Sequence, residues 1–343
     1  MQKILRYLSV FVLLAGAVYL LGPRVDRPVT DHPAPTVPQE LEGIQEWVEK
    51  KEGAFSNIKP GNASVIHFAD SVAAKTPYSF LYLHGFSASH EEGAPVHQKL
   101  AKTFGANLYL PRLAGHGLQE DETLLTFTGT SYLDSAREAL EVAKVLGDSV
   151  VVMATSSGGT LALKLAQDPK IAALLLYSPN IEIADPTAKL LSRPWGLQLA
   201  RAVKGGNYHL MQNPSEAKKQ FWSTKYRLEA ITHLQRLMDV TMRSSTFRKV
   251  ELPVFMGYYY KNELEQDPVV SVPAMLKMFD RLGTPETKKR KQAFPDANEH
   301  VLTSYISTKV YDKVAASSID FLTEVVGLKP QIHISKEQSN EME

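Results

Sequence analysis

Residues 150–166 read Val-Val-Val-Met-Ala-Thr-Ser-Ser-Gly-Gly-Thr-Leu-Ala-Leu-Lys-Leu-Ala, an apolar run that breaks into serines and glycines and then resumes. Such a run reads as a strand turning sharply into a helix. The turn exposes its apex residue, and only small neighbours let strand and helix cross so closely. A serine at that apex sits beside the positively polarised start of a helix and becomes a nucleophile once a neighbouring base takes its proton. Ser156 has Ala154 two before it and Gly158 and Gly159 after it, whereas Ser157 has the branched Thr155 two before it. Ser156 is therefore the candidate nucleophile, with Ser157 as the alternative register.

A serine needs a base, and the base needs a carboxylate to hold it. In the order serine, acid, histidine, the base lies near the C-terminus after a last strand. Of ten histidines, His300 fits: it follows a short strand-like stretch (291–294) and precedes a helix-forming segment from Ser307 to Val326. His333 lies in a polar tail and is set aside. The acid is expected after the strand-like segment 253–257, where Glu263, Glu265 and Asp267 are available. Asp267, ahead of Pro268-Val269-Val270 and 33 residues before His300 (300 minus 267), is chosen. Acyl transfer also needs backbone N–H groups aimed at the oxyanion. Ser157, following the nucleophile, supplies one, and Phe86, in His84-Gly85-Phe86 after the strand-like 79–83, is the second candidate.

The frame Ala154-Thr155-Ser156-Ser157-Gly158-Gly159 resembles the Gly-x-Ser-x-Gly-Gly elbow of α/β-hydrolases, with Ala in place of the first Gly. The segment Leu110-Pro111-Arg112-Leu113-Ala114-Gly115-His116-Gly117 narrows the likeness. It resembles the Gly-His-Gly loop of monoacylglycerol lipases, lysophospholipases, bacterial carboxylesterases and the related serine-aminopeptidase-like hydrolases. The likeness spans about residues 60–326. It implies a Ser156–Asp267–His300 triad with Phe86 and Ser157 as oxyanion donors, and a loop-shaping role for His116. It also implies cleavage of carboxylic esters of the glyceride, lysolipid or small-ester class, with an aminopeptidase-like amide hydrolase as the alternative. The alternative requires a carboxylate such as Glu182, Asp185, Glu216, Glu229 or Asp239 to bind a substrate ammonium.

The elements that must position these residues are legible as alternation. Strand-like runs fall at about 64–68, 79–83, 106–110, 149–154, 172–178, 253–257 and 290–294, with helical patterns between most of them. One such helix spans Ser131 to Leu146, with Leu133, Ala136, Leu140 and Val145 as its stripe; another starts near 38–40 and aligns Leu41, Ile44 and Val48. The expected fold is α/β: a mostly parallel sheet with helices on both faces. The gap between the fifth and sixth strands is too long for a crossover, and helical segments at about 186–203, 215–229 and 231–242 fill it. A helical cap over about 180–248 is expected, with Trp195, Leu197, Leu199, Phe221, Trp222, Leu237 and Met238 lining a pocket or packing its own core.

Composition sets the remaining bounds. The chain has 343 residues, 44% of them hydrophobic, enough for one large domain with a cap. A net charge of +1 with no basic stripe argues against nucleic acid as a partner. The absence of cysteine excludes disulfides and thiolate metal sites. No histidine–carboxylate spacing or glycine-rich phosphate loop calls for a metal or cofactor. Residues 1–22 are a different material: from Ile4 to Gly22, 19 residues carry one charge, near the roughly 20 that cross a bilayer. The apolar run continues past Ala15-Gly16-Ala17, favouring an uncleaved anchor over a cleaved signal peptide, with the hydrolytic domain outside the cytoplasm. Residues 23–39, with five prolines, read as an extended spacer. Residues 40–326 form the domain, and 327–343 a polar tail.

Overall fold

The computed structural model describes residues 2–331. The expected polar tail past 331, His333 included, lies outside the described residues.

Seven strands make one sheet in the order β1-β3-β2-β4-β5-β8-β9. Their ranges are β1 Val65–His67, β2 Thr76–Leu83, β3 Asn107–Leu110, β4 Gly147–Thr155, β5 Ile171–Tyr177, β8 Val254–Tyr258 and β9 Lys289–Ala293. β1 runs antiparallel to β3, and every other pairing is parallel. All seven overlap the strand-like runs of the sequence, β9 being the polar one. The three central strands, β2, β4 and β5, are buried on both faces, so alternate residues feed two separate cores. Leu81, Val152, Ala154 and Leu174 enter one core, and Phe80, Val151, Met153 and Leu175 the other.

Helices cover both faces. α4 (Gly129–Leu146) begins two residues before the predicted start, because Thr128 caps it: Thr128 Oγ1 accepts the Ser131 N–H and Ser131 Oγ accepts the Thr128 N–H. Its stripe of Leu133, Ala136, Leu140 and Val145 is buried as expected. α2 (Leu41–Gly53) sinks Ile44 and Val48 into the same layer, each contributing about 1.5–3 kcal/mol of burial. α3 (Val96–Thr103) and α11 (Tyr311–Phe321) cover the opposite face. α11 starts at Tyr311 rather than Ser307, because residues 307–310 are still turning away from the His300 loop.

The long segment between β5 and β8 differs in detail from the expectation. The first predicted helix breaks into a short 3-10 turn, Pro186–Leu190, and α6, Gly196–Lys204. The second stops after α7, Glu216–Phe221, because Lys225–Arg227 pairs as β7 with β6, Tyr208–Leu210, in an antiparallel ribbon. α8 (Leu228–Thr241) buries Leu237 and Met238 in the main core. It packs on α4 and on the helix that follows β4 (Ser157–Leu165). Short α9 (Ser244–Phe247) leads into β8, and α10 (Val272–Phe279) follows it.

Residues 23–38 carry no regular secondary structure, yet they lie along the domain instead of standing off it. Pro28 and Val37 are buried, the Val29 N–H donates to Thr130 Oγ1, and Arg137 donates to the Thr30 carbonyl. His32 pairs with Asp134 at 2.7 Å.

Candidate active site

Parallel strands deliver their loops to one edge, and the loops after β2, β4, β8 and β9 meet there. Ser156 follows the last residue of β4 and precedes α5 (Ser157–Leu165), with φ 54° and ψ −121°, a strained conformation for a non-glycine residue. The turn is held by the Ser156 N–H on the Tyr177 carbonyl (3.0 Å) and by the Ser156 carbonyl, which accepts from Gly159 and Asn180. The glycines are required by contact. A Cβ on Gly158 would sit 2.0 Å from the Leu83 carbonyl oxygen, and one on Gly159 would sit 2.6 Å from Pro179 Cβ. Ser157 is the first residue of α5 and fully buried, with its hydroxyl 2.9 Å from Tyr132 Oη. Of the two tandem serines, Ser156 occupies the apex.

Asp267 lies in the loop after β8. Its Oδ1 accepts the Val269 and Val270 N–H groups (2.9 and 3.0 Å), and its Oδ2 lies 2.7 Å from His300 Nδ1. Burial pushes the Asp267 carboxyl up, but the facing imidazole and the two backbone donors outweigh it and hold the group below its ordinary range. For His300, burial works against the charged ring. Asp267, with smaller contributions from Glu92 and Glu299, overcomes this and raises its pKa above 6.5. Glu263 and Glu265 stay at the surface and pair locally, Glu265 with Lys261 at 2.8 Å. His300 Nε2 is buried and has no hydrogen-bond partner among the described residues.

A carboxylate that the motif spacing does not single out ties these loops together. Glu92, in the turn His90–Gly93, is 2% exposed, and its Oε2 accepts the Gly85 N–H at 2.6 Å. Tyr82 Oη lies 3.3 Å from the same oxygen and 2.8 Å from Thr155 Oγ1. The Glu92 carbonyl accepts from Thr303 Oγ1, three residues past His300. A Cβ on Gly85 would lie 2.8 Å from Glu92 Oε1 and 3.0 Å from Ser156 Cβ. Serine, glycine loop, Glu92 and the His300 loop thus form one cluster. Burial raises Glu92 to about 7, against the Gly85 N–H and the His300 charge, which both favour the carboxylate. The only trace of Glu92 in the sequence is the Glu91-Glu92 pair, and in a 3-10 turn no periodicity tells which one points inward. Glu91 faces out and pairs with Tyr305.

Among the described residues, no backbone carbonyl accepts the Phe86 N–H in the loop after β2 or the Ser157 N–H at the start of α5. His84 stiffens this loop: its Nδ1–H donates to the Gly85 carbonyl and its Nε2 accepts the Leu113 N–H. His116 stacks among His84, Phe86 and Tyr132, and burial pushes its pKa down to about 4, so it is a neutral packing group. The segment 222–226 covers the loop. The Ser223 N–H donates to the Ser87 carbonyl at 2.7 Å, and Tyr226 meets Phe86 edge-on at 5.1 Å. Ser156 and His300 each retain only 7% exposure beneath this cover. Of the expected pocket residues, Trp222 is buried beside this loop, while Trp195 and Leu199 face outward.

The sequence profile of the alpha/beta hydrolase family matches residues 80–304, well over half of the chain. The chain belongs to that family. No curated protein matches it by sequence. Among solved structures this α/β hydrolase is similar to one described with LipS and LipT, two metagenome-derived lipolytic enzymes. That match has TM-score 0.62 and 18% identity, and covers 78% of this chain and 99% of that one. A monoacylglycerol lipase of Paleococcus ferrophilus matches at TM-score 0.54 and 13% identity, covering 76% and 98%. Est1E of Butyrivibrio proteoclasticus with ferulic acid bound matches at 0.52 and 16%, covering 77% and 94%. At these identities the likeness establishes the α/β-hydrolase fold alone.

Proposed function

We propose that this α/β hydrolase cleaves carboxylic esters through an acyl-enzyme on Ser156. The observation that carries the reading is a serine at a positive-φ turn over a helix start, in one cluster with an imidazole fixed through Nδ1 on a buried carboxylate. The carboxylate fixes the tautomer, leaving His300 Nε2 as the proton acceptor for Ser156 Oγ. Attack on the ester carbonyl forms a tetrahedral oxyanion, which the Phe86 and Ser157 N–H groups stabilise. His300 then protonates the leaving alcohol, and water attacks the acyl-enzyme with His300 again as base. Glu92 is a positioning residue: it occupies the Gly85 N–H and so orients the next peptide toward the oxyanion.

Lipolytic and esterase neighbours support an ester substrate, and a glyceride, lysolipid or small ester is the class we assign. The aminopeptidase alternative lacks a free carboxylate among its candidates. Glu182 pairs with Lys189, Glu216 with Lys219, and Glu229 with Arg201 and Arg227. Asp185 caps Thr187, and Asp239 is taken by Ser192 and Gln235. We assign α1 (Gln2–Leu20), 19 residues that include an 18-residue stretch of mean hydropathy 1.7 and no buried residue, as a membrane anchor that holds the domain outside the cytoplasm. Hydrolysis of p-nitrophenyl esters of graded chain length, set against aminoacyl p-nitroanilides, tests the reading. Ester turnover is expected, and turnover of the anilides alone contradicts it.

A further inference from the structure

The outer face of the segment between β5 and β8 is apolar where a water-facing helix would be polar. Leu190, Trp195, Leu199, Val203 and Leu210 are 40–75% exposed, and among the described residues they account for five of the twelve large hydrophobic residues exposed beyond Leu21. Leu199 and Val203, four residues apart, lie on one side of α6, and Trp195 is the residue that precedes its first turn. Scattered exposed apolar residues need no explanation, but a row of them along one helix marks a surface that something covers.

What covers it is indicated by where α1 ends. The Trp195 indole Nε1–H donates to the Val18 carbonyl at 3.1 Å, and the Trp195 N–H donates to the Pro23 carbonyl at 2.8 Å. The indole lies flat enough on Gly22 that a Cβ there would come within 2.1 Å of it. The start of α6 is thus joined to the last turn of the apolar helix. If that helix spans a bilayer, its Leu20–Pro23 end lies at the interface. That is the depth tryptophan prefers, with an apolar ring and a polar N–H. Charge agrees with the location. Arg193 and Lys204 flank the row, are exposed, and make no ion pair with any described residue. Lys189 and Arg201, by contrast, are paired. An apolar row with free cations at its margin fits an anionic lipid surface.

We infer that α6 is a second membrane contact: Trp195, Leu199 and Val203 rest in the lipid interface beside the anchor, and Arg193 and Lys204 meet anionic headgroups. The inference rests on the proposed anchor role of α1, and the test separates the two. The chain has no cysteine, so single-cysteine variants of the full chain can carry an environment-sensitive fluorophore without background. Leu199→Cys and Val203→Cys report on α6, Leu13→Cys on the anchor, and Val72→Cys on a solvent-facing loop of the body. Each is reconstituted in vesicles of phosphatidylcholine and phosphatidylglycerol, some with a spin-labelled acyl chain as quencher.

The expected result is blue-shifted emission and lipid-borne quenching at 13, 199 and 203, with position 72 unshifted and open to aqueous iodide. Omitting phosphatidylglycerol lowers the quenching at 199 and 203 and leaves 13 unchanged. Signals at 199 and 203 that match position 72 while 13 is quenched overturn the inference and leave the anchor standing. Quenching at 199 and 203 with 13 in water keeps the contact and removes the anchor. A blue shift at 199 and 203 that follows protein concentration in detergent, without lipid, overturns the inference in favour of a second copy of this chain.

Discussion

At the scale of single residues, chemistry is decided by which groups are left free. His300 has one nitrogen committed to Asp267 and the other buried without a partner among the described residues. Asp267→Asn should keep the ring in contact but present the wrong tautomer, and kcat should fall by about 10⁴-fold with the circular dichroism spectrum unchanged. The pH profile follows from the same pair. The proposed mechanism needs the neutral imidazole, and the His300 pKa is raised above 6.5, so it predicts that activity is lost as pH falls through that higher value. The acid limb of kcat/KM should therefore lie above about 6.5. Glu92 contributes to that rise, so Glu92→Gln should move the limb to lower pH while also lowering kcat, a pair of changes that a purely structural residue would not give. The elbow at Ser156 and the contact of Asp267 with His300 are legible in the sequence because small residues and chain order constrain them. Glu92 is not, because its role depends on a fold contact between a 3-10 turn and a glycine amide.

At the scale of elements, β2, β4 and β5 are readable because a strand covered on both faces demands a continuous apolar run. The covering segment was less so. β6 and β7 are three residues each, too short to show an alternation, and Trp195 takes a left-handed φ of 65° that breaks the predicted helix before α6. The elbow itself has a sharp steric demand. Gly158→Ala places a methyl group 2.0 Å from a backbone oxygen of β2, which no side-chain rotation can relieve. We expect a loss of about 3 kcal/mol or more in chemical denaturation, or no folded protein. An unchanged midpoint would mean that strand and helix do not cross as described.

At the scale of the whole molecule, the proline-rich segment is a strap rather than a spacer. It runs from the end of α1 along α4, fastened by Arg137 on the Thr30 carbonyl and by the burial of Pro28 and Val37. Its composition shows only that it is extended. The partners that fasten it lie about a hundred residues away and are invisible to local pattern. Arg137→Ala should release the strap, read as faster proteolytic cleavage within residues 23–38 at unchanged ester turnover. The catalytic claim for the whole chain is tested most directly by covalent labelling. The full protein is incubated with a fluorophosphonate, digested, and the modified residue located by mass spectrometry. Modification of Ser156 is expected, abolished in Ser156→Ala and Asp267→Asn and retained in Ser157→Ala, whose hydroxyl is engaged with Tyr132. Labelling that survives Ser156→Ala, or that maps to Ser157, would contradict the assignment.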